Sequence, residues 1–171
     1  MLADGFWQGG NDVAGDEAVL SHLLSGEIAG HLEAGQDVAL ICEGDPFLYG
    51  SFMYIYQRLA PTHRVVVVPG VSSVGACAAA AGLPLVSRNQ VLSVIPAPLD
   101  EDELERRLAI TDAAAVMKVG RHLDKVRRVL DRLGRADDAW YVERATMEAE
   151  RVLPLADLDG ADGVQRIHIA E

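Results

Sequence analysis

Continuous apolar runs alternate with helically spaced ones along most of this chain. Val38 to Cys42 is apolar throughout, and Arg64 to Val68 is a second, β-branched run. Uninterrupted runs of this length are the pattern of strands covered on both faces, as in a parallel sheet. Leu20, Leu24, Ile28 and Leu32 recur at helical spacing and predict a helix over 16–34, with Gly35 as its stop. The same reading gives helices over about 50–59, 73–81, 101–109 and 121–133. It gives further strands at 91–95, 113–118, 139–142, 151–153 and 164–169. Residues 1–15 read as irregular. Alternation of strands and helices defines the α/β class. Pro96-Ala-Pro98 breaks the pattern, which places a domain boundary there and predicts two α/β domains, 1–94 and 95–171.

Polar loops follow four of the strands: Glu43-Gly-Asp-Pro46, Pro69-Gly-Val-Ser-Ser73, Met117-Lys-Val-Gly-Arg121 and Glu143-Arg-Ala-Thr146. Open parallel sheets bind ligands at the carboxyl ends of their strands, so these loops are the candidate chemistry. Glu43 and Asp45 put two carboxylates at one such end. Asp45 has two readings from this stretch alone: a cap on the following helix, or a ligand contact. Ser72 and Ser73 open a helix of very small residues, Gly75 to Ala81. Their hydroxyls suit capping, and free N–H groups there also suit polar ligand atoms. The small residues fit either high helix propensity or close approach of another backbone.

Composition narrows the partners. Half the residues are hydrophobic, enough for a real core in 171 residues. The formal net charge of −11 argues against a nucleic-acid partner, which requires a basic face. The basic face of 121–133 (Lys125, Arg127, Arg128 and Arg132) reads as solvent-exposed. No segment has the length or charge pattern of a membrane span. Cys42 and Cys77 lie in apolar or small-residue segments and read as buried thiols of a reducing cytoplasm. The five histidines share no metal-ligand spacing with each other or with the cysteines, so no metal site is expected.

The four loops, in this order, resemble the tetrapyrrole methylase family. Ile41-Cys-Glu-Gly-Asp-Pro-Phe-Leu-Tyr-Gly-Ser-Phe-Met-Tyr54 looks like the branch that methylates C-20 of precorrin-2 in corrin synthesis. So do Val67-Val-Pro-Gly-Val-Ser-Ser73, Val116-Met-Lys-Val-Gly-Arg121 and Tyr141-Val-Glu-Arg-Ala-Thr146. The resemblance covers about residues 16–170. It implies a two-domain methylase fold, with a mostly parallel sheet in the first domain and a mixed sheet in the second. It also implies a folded S-adenosylmethionine clamped by the two domains, and a tetrapyrrole in a trough of the first. By motif position, Asp45 and Leu48 would contact the methionine and ribose portion of the cofactor. Ser72 and Ser73 would bind its polar groups, and Met117 would line the adenine pocket. Glu43 lies near enough to matter. Arg58, Arg64, Arg88 and Arg121 are candidates for a basic lining toward substrate carboxylates. The resemblance identifies no catalytic base; it implies a homodimer.

Family members begin with a strand and a Gly-x-Gly-Pro-Gly-Asp-type loop, which Gly5 to Gly15 does not match. The expectation is therefore a first domain truncated at its start. Three functions stay open: methylation of precorrin-2, methylation of its cobalt-containing analogue or another tetrapyrrole, and an inactive fragment that binds cofactor.

Overall fold

The structure is a computed structural model that describes residues 14–158 and 167–170, with side chains described for 22–158. The expected irregular start at 1–13, and the part of the last strand at 164–166, lie outside the described residues. The chain forms two compact units, residues 1–70 and 71–171.

In the first unit, helix α1 (Ala14–Glu33) packs against helix α2 (Phe52–Leu59). Ile55 and Leu59 of α2 are buried, and Leu24, Ile28 and Leu32 give α1 its half-buried stripe. Gly35, with a left-handed φ of 75°, ends α1 as its sequence indicates. Phe47, Phe52 and Tyr56 form an aromatic cluster, with Phe47 edge-on to Tyr56 at 5.0 Å between centroids.

The two apolar runs of this unit depart from expectation. Residues 38–42 and 64–68 belong to no strand ladder among the described residues. Ile41 is 81% exposed, Val66 70% and Val68 76%, so the runs are not covered on both faces. An apolar run specifies what a strand would bury. The strand itself exists only where a neighbour takes its N–H and C=O groups.

The second unit holds one mixed five-stranded sheet in the order β1-β2-β5-β3-β4. Its strands are β1 (Leu92–Pro96), β2 (Ala113–Met117), β3 (Ala139–Glu143), β4 (Arg151–Pro154) and β5 (Ile167–Ala170). β1 and β2 are parallel, and every other pairing is antiparallel. β1, which the sequence pattern groups largely with the residues before it, is thus hydrogen-bonded into the second unit. Because β5 runs against both β2 and β3, strands β1, β2 and β3 all point the same way. Their carboxyl ends lie at one edge of the sheet.

Alternate residues of β2 and β3 face opposite sides. Ala114, Val116 and Tyr141 join Leu104 and Leu108 of helix α4 (Glu101–Ala109). Val126, Val129 and Leu130 of helix α5 (Leu123–Arg132) complete that core. Ala115, Met117 and Val142 join Val74 and Cys77 of helix α3 (Ser73–Ala81) on the other face. The small residues of α3 therefore serve close helix-to-sheet packing: Ala78, Ala80 and Ala81 lie against that cluster. Gly82, left-handed at φ 67°, ends α3, and Leu83 N–H donates to the Ala78 carbonyl at 3.0 Å. The acidic run before α4 works as a helix start. Asp100 Oδ1 accepts from Glu103 N–H at 2.8 Å, and Glu101, Asp102 and Glu103 fill the first turn.

The basic face of α5 is not simply solvated. Arg128 and Arg132 pair with Glu101 at 2.7 and 2.8 Å, and Arg132 pairs with Glu105 at 2.6 Å. Lys125 donates to the Leu99 carbonyl, and Arg127 donates to those of Leu155 and Leu158. These cations bind α5 to α4 and to the segment after β4. Their partners lie 26 to 31 residues away in sequence, beyond the reach of helix periodicity.

Candidate functional site

The first loop is built around Asp45. Gly44 turns the chain through a left-handed φ of 74°. Asp45 Oδ1 then accepts from Phe47 N–H at 2.9 Å, and Oδ2 accepts from Gly70 N–H at 3.0 Å. Leu48 N–H closes a turn onto the Asp45 carbonyl at 3.3 Å. Asp45 does not cap α2, whose N-cap is Ser51. It instead ties the first polar loop to the start of the second. The N–H groups of Phe47 and Gly70, with that of Leu48 adding less, hold its carboxyl below the ordinary 3.8 against the opposing effect of desolvation. Gly70 is required by close approach: a Cβ there would meet the Gly44 carbonyl oxygen at 2.1 Å. Leu48 is 36% exposed beside this brace, and the Glu43 side chain is exposed.

From Val71 onward the second loop, and the whole of the other two, belong to the second unit. Ser72 is the N-cap of α3, with extended backbone and its Oγ accepting from Gly75 N–H at 3.3 Å. Ser73 follows as the first helical residue, where N–H groups have no intrahelical partner. Met117 ends β2. It is buried against Val74, two residues after Ser72, and its carbonyl accepts from Ala97 N–H at 2.8 Å. The structure thus brings the start of α3 and the end of β2 into one packed cluster.

Both β2 and β3 leave the sheet through left-handed residues. Lys118 has φ 58°, Arg144 φ 51° and Thr146 φ 67°. Non-glycine residues seldom adopt this conformation. At β3 the surroundings fix it: Glu143 is 4% exposed, accepts from Tyr141 Oη–H, and pairs with Arg151 at 3.5 Å. Glu150 accepts from Thr146 N–H at 2.5 Å, and Met147 N–H donates to the Arg144 carbonyl at 3.0 Å. The nearby Cys77 thiol is buried, and burial followed by the charge of Glu150 pushes it up to about 11, so it stays protonated at neutral pH. Among the described residues, no three His, Cys, Asp or Glu side chains come together as a metal site would require.

Gly70, Glu143, Lys118 and Arg144 fall within the polar loops that the sequence marks, but their individual conformations and partners escaped sequence reasoning. The Pro69-Gly70 step carried a signal for the first, because glycine directly after a strand-ending proline marks a tight backbone path. Nothing in the sequence signals φ at a lysine or arginine.

In the second unit, strands β1, β2 and β3 present their carboxyl ends at one edge of the sheet, and polar loops follow β2 and β3 there. A model of Tetrapyrrole (Corrin/Porphyrin) Methylases matches residues 19–159, and the chain belongs to that family. It is 51% identical over 130 residues to the precorrin-2 C(20)-methyltransferase of a Sinorhizobium species, over 76% of this chain and 53% of that protein. It is 52% identical over 132 residues to the cobalamin biosynthesis protein CobIJ of Mycobacterium bovis, over 77% of this chain and 26% of that one. The chain thus spans about half or less of these relatives. Among solved structures it resembles cobalt precorrin-4 methyltransferase, CbiF, with a TM-score of 0.71 and 26% identity over 86% of this chain and 69% of that one. It shares its fold with a Thermus thermophilus uroporphyrin-III C-methyltransferase complexed with S-adenyl homocysteine. There the TM-score is 0.64 and the identity 23%, over 87% of this chain and 72% of that one.

Proposed function

We propose that the chain belongs to an S-adenosylmethionine-dependent methyltransferase that methylates C-20 of precorrin-2 in corrin synthesis. The observation that carries this is the 51% identity to the Sinorhizobium enzyme, over a stretch as long as most of the chain. The chemistry of the residues fits the cofactor. In the first unit, Asp45 keeps a charged carboxylate with acceptor capacity beyond its two N–H bonds, and Leu48 offers apolar surface beside it. In the second, the first turn of α3 offers N–H donors at Ser72 and Ser73, and Met117, packed beside that turn, offers an adaptable apolar side chain.

Bound S-adenosylmethionine supplies an electrophilic methyl group. The protein's work is then to bind, orient and exclude water, and positioning of this kind is worth about 7–11 kcal/mol of barrier. The brace from Asp45 to Gly70 and the strand-anchored loops of the second unit are suited to that work, because hydrogen bonds and packing already fix their backbone. Incubation with S-adenosylmethionine and precorrin-2 tests the proposal by mass: gain of one methyl group is expected. No gain, beside a working full-length relative, would overturn it for this chain.

A second reading is methylation of the cobalt-containing analogue. A Salmonella typhimurium cobalt-precorrin-2 C(20)-methyltransferase is 31% identical over 82% of this chain, against 51% for the metal-free type. The higher identity favours metal-free precorrin-2, and comparing rates on the two forms decides. A chain that only binds cofactor would give heat with S-adenosylhomocysteine and no methylation. We further assign a homodimer in the cytoplasm. The exposed apolar residues of 38–42 and 64–68 support association, and two free thiols suit a reducing compartment. No helix among the described residues is long and apolar enough to cross a membrane.

A further inference from the structure

We infer that Tyr141, Glu143 and Arg151 are positioning residues for the second unit's cofactor contacts: together they close the mouth of the β3–β4 hairpin and hold its loop, through Ala145, against Met117 and the start of α3. The inference rests on the cofactor reading above and adds residues that act on those contacts without touching the cofactor themselves.

Among the described residues, Glu143 is the one charged side chain that is buried, 4% exposed. Its Oε2 accepts from the Tyr141 hydroxyl, and its Oε1 lies 3.5 Å from Arg151. The Arg151 guanidinium also lies 6.0 Å from the Tyr141 ring centroid, so the three side chains contact one another in a closed set. A buried ion pair is weak ground for stability, since apolar residues of similar volume often serve as well or better. It can specify one arrangement where they cannot, because a carboxylate that loses its partners here is left desolvated.

The arrangement it specifies is the base of a loop. Glu143 and Arg151 are the last opposed pair of the β3–β4 ladder, so they set where residues 144–150 leave the sheet. Strand alternation puts Tyr141, Glu143, Arg151 and Leu153 on the face of α4 and α5, and Val142 and Val152 on the face of α3. The loop then crosses over: Ala145 packs on the α3-side cluster of Val74, Cys77, Met117 and Val142. Its path is left-handed at Arg144 and Thr146. Thr146 N–H donates to Glu150 Oε2 at 2.5 Å, and Met147 N–H to the Arg144 carbonyl at 3.0 Å. Non-glycine residues keep such a backbone only where the surrounding structure over-determines it. Releasing Glu143 or Arg151 frees the base of this loop, and Ala145 then no longer backs Met117 and Val74.

The test is calorimetric titration of S-adenosylhomocysteine into the whole chain and its Tyr141→Phe, Arg151→Gln, Glu143→Gln and Glu143→Ala variants, each shown folded by circular dichroism. Amide exchange at positions 146 and 147 is read in the free chain. Val129→Ala is the control, a core truncation in α5 outside the hairpin. Tyr141→Phe, Arg151→Gln and Glu143→Ala should each bind about tenfold more weakly, as for loss of one charge-assisted contact, and should exchange both amides faster. Glu143→Gln keeps an acceptor for the Tyr141 hydroxyl and should recover part of the loss. Val129→Ala should lower the urea midpoint and leave the affinity at the wild-type value. If Glu143→Ala does not fold, Tyr141→Phe and Arg151→Gln carry the test. Variants that bind as the wild type does overturn the positioning role and leave the cofactor reading intact. Weakened binding with unchanged exchange also overturns it, by making these residues direct contacts. So does equal weakening in Val129→Ala, by showing that any loss of stability is enough. A wild-type chain that binds no S-adenosylhomocysteine overturns the cofactor reading and the positioning role together.

Discussion

Replacing Gly70 by alanine tests the brace that fixes the loops of the first unit. The added Cβ would lie 2.1 Å from the Gly44 carbonyl oxygen, 2.9 Å from its carbonyl carbon and 3.2 Å from Asp45 Cα. All three are backbone atoms, so no side chain can swing aside. Relief requires the two segments to part by roughly 1 Å to regain ordinary van der Waals separation. That movement stretches the 3.0 Å bond from Gly70 N–H to Asp45 Oδ2 and so releases the loop. Overpacking of this type costs about 1–3 kcal/mol. Gly75→Ala is the control, because its Cβ meets only Ser72 Oγ at 3.8 Å, and alanine inside a helix is favoured by about 0.5–1 kcal/mol. Urea unfolding gives the global effect, and amide exchange at positions 47 and 70 gives the local one. Gly70→Ala should lower the midpoint and speed both amides, while Gly75→Ala should hold or raise the midpoint. A Gly70→Ala chain with an unchanged midpoint and unchanged exchange would refute the close approach.

Three further outcomes follow from the charges. The carboxyl of Asp45 is lowered in the folded chain, so its brace is complete above the ordinary 3.8 and is lost as pH falls through the lower folded value. Exchange at positions 47 and 70 should accelerate over that acid range, and Asp45→Asn should flatten the response. Glu101 is held at about 2 by hydrogen bonds from Arg128 and then Arg132, with a normal value of 4.5. Its contribution to joining α4 and α5 is full above 4.5 and disappears as pH falls through about 2, and Glu101→Gln with added salt should remove that acid limb in circular dichroism. Glu143→Ala takes an acceptor from the buried Tyr141 hydroxyl and a partner from Arg151, and should cost about 1–3 kcal/mol in urea unfolding, more than Tyr141→Phe.

What the sequence made legible was what short-range pattern controls. The Leu24, Ile28 and Leu32 stripe, the Gly35 stop and the Ser72 cap each act within a turn or two, and each element forms where its residues indicate. The runs at 38–42 and 64–68 misled because apolarity does not name a pairing partner. Arg128 and Arg132 of α5 are exposed as their pattern indicates, but periodicity does not name their carboxylate partners, which sit on another helix. At the site, Asp45 was legible as a polar residue ending an apolar run, but its partner Gly70 stands 25 residues on. The left-handed turns at Lys118 and Arg144 leave no mark in residue type.

This division decides how the proposed cofactor contacts must be tested. Asp45 is both brace and proposed ligand, so any substitution there alters loop geometry as well as binding, and lost affinity would not separate the two. Leu48 does separate them. It joins the brace only through its backbone N–H, which donates to the Asp45 carbonyl at 3.3 Å, while its side chain is 36% exposed. Leu48→Ala keeps that N–H, so exchange at positions 47 and 70 should stay at wild-type rates. If the side chain packs on the cofactor, S-adenosylhomocysteine binding weakens by the apolar contact removed, about 1–2 kcal/mol or five- to thirtyfold. Unchanged affinity with unchanged exchange would remove Leu48 from the site and leave Asp45 as a structural residue of the loop.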